Sequence, residues 1–193
     1  MVWLRGGLIL LLGFWTVRLG SGAATGCFLD LVNLPFHEAG HIVLMPFGET
    51  MHFLGGTLGQ LAVPALLVVY FLIRKRQPFA AAVCAWWAGE NFINIAVYMA
   101  DARDLALPLL GGGHHDWNTL FYEFGLLSHE SVAFISTATH RVGAVIMLTG
   151  LAWAGYFLLS GRLKERIDAL LADRMPALRY LLESDGGGTC GSD

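Results

Sequence analysis

From Thr57 to Ile73, or from a residue or two earlier, the chain runs apolar with only Gln60 and Pro64 interrupting, and it closes on Arg74-Lys75-Arg76. A run of that length bounded by basic residues predicts a membrane-spanning helix. Phe79 to Ala100 predicts another, although Glu90, Asn91 and Asn94 lie in its middle. Polar groups at bilayer depth are expensive, so these three need a task or a partner. Ser131 to Leu159 is the last run and encloses His140 and Arg141. Trp3 to Leu19 is the first, and it is short between Arg5 and Arg18 unless both arginines snorkel to the interfaces. With the small residues Ser21-Gly22-Ala23-Ala24 behind it, that stretch also fits a signal peptide.

A shorter helix is predicted over Asn33 to Met45. Asn33 can cap it, Pro35 is tolerable in a first turn whose backbone donors are free anyway, and Pro46 with Gly48 stops it. Between two long spans this segment reads as re-entrant or half-buried. After the last span, Ile167, Leu170, Leu171, Met175 and Leu178 recur at helical spacing among charges. That pattern predicts an amphipathic helix on the membrane surface or against a partner, kinked at Pro176. The fold class expected is an all-α integral membrane protein of about four spans plus one re-entrant helix. Residues 1–160 form the embedded domain, 161–184 a cytoplasmic amphipathic helix, and 185–193 a glycine-rich disordered tail.

Composition agrees with this reading: 55% of the 193 residues are hydrophobic and only 14% charged. A net charge of -3 with twelve Lys and Arg offers no basic stripe for phosphates, which argues against nucleic acid as a partner. Cys27, Cys84 and Cys190 are far apart and suggest neither a disulfide framework nor a cysteine metal site. Lys and Arg collect at 74–76 and 162–179, while 20–56 has none, so four spans with both termini cytoplasmic satisfy the positive-inside rule. Residues 37–41 and Asp101 then fall together on the non-cytoplasmic side.

Those five residues, His37-Glu38-Ala39-Gly40-His41, carry the chemistry. Four residues apart on one helix, the imidazoles stack along a face and can reach a single Zn²⁺, while Glu38 on a neighbouring face can touch a metal-bound water. Two histidines need a third protein ligand, with the fourth position left to water. Asp101 is the first choice, because Asn94 and Asp101 stand two helical turns apart and the polar face of the third span runs toward it. Asp104, His115 and Asp116 are the alternatives, the latter two also as groups that orient a ligating imidazole. His114 ranks below them. Glu90, Asn91 and Asn94 either bind a substrate backbone or join helices, the latter being the commoner use. His140-Arg141 is expected to pair with Glu90 or Glu130. Trp86, Trp87 and Trp117 suit an interfacial belt or cofactor contacts, and His52 and His129 suggest no role.

On these residues the chain resembles the site-2-protease-like family of membrane zinc metallopeptidases. The resemblance rests on His37-Glu38-Ala39-Gly40-His41, on Phe53-Leu54-Gly55-Gly56-Thr57 where relatives often have a glycine-rich segment, and on Ala88-Gly89-Glu90-Asn91 to Asn94, similar to their Gly-Pro-x-x-Asn span. It implies a zinc held by His37, His41 and an aspartate, with Glu38 as general base, cleaving a peptide bond of a membrane protein. Where the family commonly has Leu-Asp-Gly or Pro-Asp-Gly, this chain reads Pro108-Leu109-Leu110-Gly111-Gly112, so the aspartate must come from elsewhere. Two other functions compete with this one. A non-catalytic metal-binding subunit or scaffold would use the metal only to lock helices, and a di-iron oxygenase would need His114 and His115 as well.

Overall fold

The computed structural model describes residues 2–108 and 114–174. Within them the chain is helical: α1 (Val2–Gly20), α2 (Asp30–Leu44), a 3-10 turn (Met45–Phe47), α3 (Glu49–Ile73), α4 (Pro78–Ala100), α5 (Asp116–Glu123) and α6 (His129–Arg174). Among the described residues, three stretches are long and apolar enough to cross a membrane: α1, α3 and the His129–Gly161 part of α6. At 1.5 Å per residue, the 25 residues of α3 extend about 37 Å, against a hydrocarbon core of about 30 Å. The chain reads as a membrane protein.

Burial is inverted in the manner a lipid solvent requires. Asn33, Glu90 and Asn91 are at most 1% exposed, whereas Leu4, Leu66, Phe134 and Val145 lie outside. The interior is organised around α4, which equals the spans in length but keeps its polar residues turned inward. Leu12 and Leu19 of α1, Trp86 and Ile93 of α4 and Met147 of α6 form one apolar cluster. The α4 and α6 backbones touch at Gly89 and Gly143, where a Cβ on either glycine would sit 2.7 Å from the other's carbonyl oxygen. Small residues at such crossings let helices gain dispersion contact that lipid cannot supply. α1 docks through the Trp86 indole, which donates to Thr16 Oγ1 at 2.7 Å.

Several boundaries differ from the sequence reading. α3 begins at Glu49, well before Thr57, because Gly55, Gly56 and Gly59 are needed for close packing against α2 and not for a loop. Asn33 does not cap α2, which starts at Asp30 without a side-chain cap. Its amide is buried, donating to Glu90 Oε2 at 3.0 Å and accepting from Trp87 Nε1 and Asn91 Nδ2. Glu90 and Asn91 are therefore the glue between α2 and α4, Trp87 belongs to that packing, and Trp86 packs instead between α1 and α6. His140 takes neither Glu90 nor Glu130 as partner. Its Nε2 meets the Leu19 carbonyl 3.0 Å away, at the end of α1. The amphipathic segment is no separate element, since α6 continues unbroken through Arg174. The kink at Pro176 and the tail lie outside the described residues.

Candidate metal centre

α2 and α3 are packed unusually close. A Cβ on Gly40 would strike the Gly55 backbone, and one on Gly55 would lie 2.5 Å from the Gly40 carbonyl oxygen. This contact presents the inner face of α2, with His37 and His41, directly to α3. Gly56 completes the approach, because a Cβ there would occupy the place of His37 Nε2 and come within 2.6 Å of His41 Nε2. The sequence requires small residues here so that two ring nitrogens have room.

Each imidazole is fixed from behind. His41 Nδ1 lies 2.7 Å from the His52 carbonyl, which can only accept, so the proton sits on Nδ1 and Nε2 keeps its lone pair. His37 Nδ1 lies 3.1 Å from Gln60 Oε1, while the Gln60 amide nitrogen reaches Asn94 Oδ1 at 3.4 Å, giving His37 the same tautomer. Opposite both rings stands Asp116, with Oδ2 at 3.0 Å from His37 Nε2 and 3.2 Å from His41 Nε2. Two imidazole lone pairs and one carboxylate oxygen thus converge, and acceptors facing one another need a cation or a proton between them. These three residues can hold a metal ion, their ligand atoms all lying within 4.8 Å of one another. Where a proton on the imidazole Nε2 atoms fills that place, burial works against ionisation of Asp116, but the hydrogen bonds donated by His37 and His41 prevail and hold its carboxyl below the ordinary range.

The structure thus gathers Asp116, a sequence-level alternative, into the group with the two histidines. Asp101 stands one step behind it. α4 ends at Ala100, and the Asp101 carboxylate turns back to accept the Ala106 and Leu107 backbone N–H groups at 3.0 and 3.1 Å. It also faces His115, whose Nε2 is 3.4 Å away. His115 caps α5 by accepting the Asn118 N–H, which sets Asp116 in the first turn of that helix. Burial lowers the His115 pKa, opposed by the neighbouring Asp101 carboxylate. Asp104 and His114 are exposed. His52, given no role from sequence, supplies the carbonyl that orients His41, and no sequence signal could have marked a backbone oxygen. Gln60 did leave a signal, as the lone amide in an otherwise apolar span.

A cleft of about 440 Å³ opens beside this group, lined among others by Asp30, His37, Glu38, Thr57, Asn94 and Tyr98. Glu38 is exposed and borders the cleft one residue from His37. Tyr98 accepts the Asp116 backbone N–H at 3.2 Å and lays its ring 4.1 Å from that of His115. At the other end of α2, Cys27, Asp30 and Glu90 also bring three ligand-type atoms within 4.8 Å of one another. Comparison with models of known families, with curated proteins and with solved structures finds no match to this chain.

Proposed function

We propose that this chain is a membrane-embedded zinc-dependent peptidase that hydrolyses a peptide bond of a membrane protein. The observation carrying the proposal is the convergence of His37 Nε2, His41 Nε2 and Asp116 Oδ2 with Glu38 at the adjoining cleft. Tetrahedral zinc with bonds of about 2.0–2.2 Å separates neighbouring ligand atoms by about 3.3–3.6 Å, so the 3.0 and 3.2 Å found here need to open by only a few tenths of an ångström. Three protein ligands leave one position for water, the hallmark of a catalytic and not a structural site. Bound zinc would acidify that water and polarise a carbonyl oxygen. Glu38 is the group placed to receive the water's proton and hand it to the departing amine nitrogen. Gln60 and the His52 carbonyl hold the imidazoles in the orientation this needs.

In this reading α4 is a fourth span, its polar side chains satisfied within the bundle. Arg5 lies over the Phe79 ring at the start of α4, and Leu19 meets His140 near the start of α6. The first contact sets α1 parallel to α4 and the second sets α1 against the earlier part of α6, the alternation that four spans require, and the clustered Lys and Arg favour the cytoplasmic side for 74–76. Gly56 is seven residues into α3, about 10 Å from its start, so the metal lies at moderate depth on the non-cytoplasmic side. A helical substrate would have to unwind there, because its backbone amides are tied up in helix.

Metal analysis of the purified protein should find one zinc per chain, and two irons would overturn the assignment. Glu38→Gln should keep that zinc and abolish cleavage of a casein probe. Undiminished cleavage by Glu38→Gln would end the peptidase reading.

A further inference from the structure

α1 and α4 touch at two levels, where Arg5 lies over the Phe79 ring and where the Trp86 indole donates to Thr16. Between those contacts the helices leave a groove of about 200 Å³. Leu8, Leu11 and Trp15, at helical spacing on one face of α1, form one wall, Val83 and Trp87 of α4 form the other, and Phe28 borders it from the loop. From Leu8 to Trp15 it runs about 10 Å along the helix axis. No polar atom is exposed inside it. Leu11 and Phe28, on its rim, are 47% and 58% exposed, so the groove opens outward, where lipid surrounds a membrane-spanning α1.

The lining selects the occupant. Water has no partner there, and apolar cavities of about 150 Å³ stay dry while admitting a hydrocarbon the size of benzene. An α-helix, about 10 Å across, is too thick for the space, and an extended polypeptide would bring backbone N–H and C=O groups that no groove atom can satisfy. A fatty acyl chain has neither defect, and its methylenes supply the dispersion contacts that bare walls would forgo.

One end of the groove is cationic. Arg5 stands one turn before Leu8, its guanidinium 5.0 Å from the centre of the Phe79 ring, which is one turn before Val83. It makes no ion pair among the described residues. Arg74-Lys75-Arg76 immediately precede α4 and bring three more cations to that end, while residues 1–29 and 50–89 contain no Asp or Glu. Cations without carboxylate partners, next to an apolar groove, complement a phosphate joined to a hydrocarbon chain.

We propose that the groove between α1 and α4 binds one acyl chain of an anionic phospholipid whose phosphate is held by Arg5. The site is separate from the metal centre and does not depend on the peptidase reading. Phe28 and Leu29 border the groove and α2 begins at Asp30, so a seated chain braces the segment from which the helix bearing His37 and His41 starts.

Trp15, Trp86 and Trp87 line the groove and report its occupancy, because bromine quenches indole fluorescence on contact. Dibrominated phosphatidylglycerol titrated into the purified full chain in detergent should quench with saturation, above a linear background from the exposed Trp3. Dibrominated phosphatidylcholine should require about fivefold more lipid, the attraction expected of one cation near a membrane surface. Arg5→Gln, at an exposed position, should lose that preference while either lipid still saturates. Val83→Phe, or Leu8→Phe on the opposite wall, should fill the groove and abolish saturation by both lipids, with circular dichroism showing the helices intact. Quenching that is only linear in lipid overturns the proposal, and a dimer found by light scattering would then assign the groove to a second copy. Equal saturation by the two lipids, or a preference kept by Arg5→Gln, overturns the phosphate assignment. Saturation kept in both filling variants places the lipid elsewhere and overturns the site.

Discussion

Both ends of α2 carry three ligand-type side chains brought within 4.8 Å, yet the two clusters are built on opposite principles. In the group of His37, His41 and Asp116, both imidazoles are held from behind through Nδ1, which leaves their Nε2 atoms converging on the Asp116 carboxylate in front. Around Cys27, Asp30 and Glu90 three of the four carboxylate oxygens already face donors, and only the buried Asp30 Oδ1 lacks one. Asp30 Oδ2 takes the Cys27 N–H at 2.9 Å, Glu90 Oε2 takes the Asn33 amide, and Glu90 Oε1 faces the Cys27 thiol at 3.7 Å. Burial foremost, with the Glu90 and Asp30 carboxylates adding to it, pushes the Cys27 thiol up to about 12. It stays protonated at neutral pH, and a thiol is a poor ligand compared with a thiolate. Proximity of ligand atoms is therefore common to both ends, and what differs is whether the surrounding hydrogen bonds leave those atoms turned toward one another.

The sharpest way to break this contrast is to remove one carboxylate from each end. Asp116→Ala should weaken zinc binding by more than about a hundredfold, beyond the cost of losing an outer partner. Glu90→Gln should leave zinc affinity within about twofold, as expected of distant and independent sites. Equilibrium zinc titration against a chelator reads both, and zinc lost from Glu90→Gln but kept in Asp116→Ala would exchange the roles of the clusters.

Adjacent glycines give a smaller but cleaner separation. At Gly55 a methyl group would meet the Gly40 backbone, which cannot yield, so Gly55→Ala should drive α2 from α3 and lower the unfolding temperature with or without metal. At Gly56 the nearest atoms to the methyl would be the ends of two imidazoles, side-chain atoms that can yield at the expense of their Nδ1 hydrogen bonds. Gly56→Ala should therefore lose zinc while the metal-free protein unfolds no earlier, since alanine favours helix over glycine by about 1 kcal/mol. Equal destabilisation of both metal-free variants would show that the close approach serves the fold alone.

These glycines also show how far the sequence could be read. The motif put two imidazoles on one face because helical spacing is local geometry, and three apolar helices long enough to cross a membrane followed from hydropathy for the same reason. α4 was readable to within a residue at either end. The carboxylate that meets the two imidazoles, Asp116, was not, because its position depends on where a loop returns. The inference that the polar face of α4 leads from Asn94 toward Asp101 named the right corner of the molecule. It missed that the turn after Ala100 claims the Asp101 carboxylate for two backbone donors, leaving the site to a helix start near a glycine triplet. Asn33 failed as a cap for a related reason: a buried Glu90 across the bundle outbid the local backbone, a long-range effect that no window of sequence contains.

The smallest effect on the metal centre is expected at Cys27, where the comparison can be sharpened by pH. A thiol raised to about 12 in the folded protein, against about 8.5 unfolded, binds its proton more tightly in the native state. Its contribution to stability is thus complete below about 8.5 and declines as pH rises toward 12. Cys27→Ala should remove that part of the alkaline loss of stability and leave zinc affinity unchanged. Iodoacetamide alkylation of Cys27 in the folded protein at pH 8, resolved by peptide mass spectrometry, should be far slower than after unfolding, because the thiolate is the reacting species. Rapid alkylation of the native protein, or zinc protecting Cys27 from it, would mean that the second cluster presents a thiolate after all and would erase the distinction between the two ends of α2.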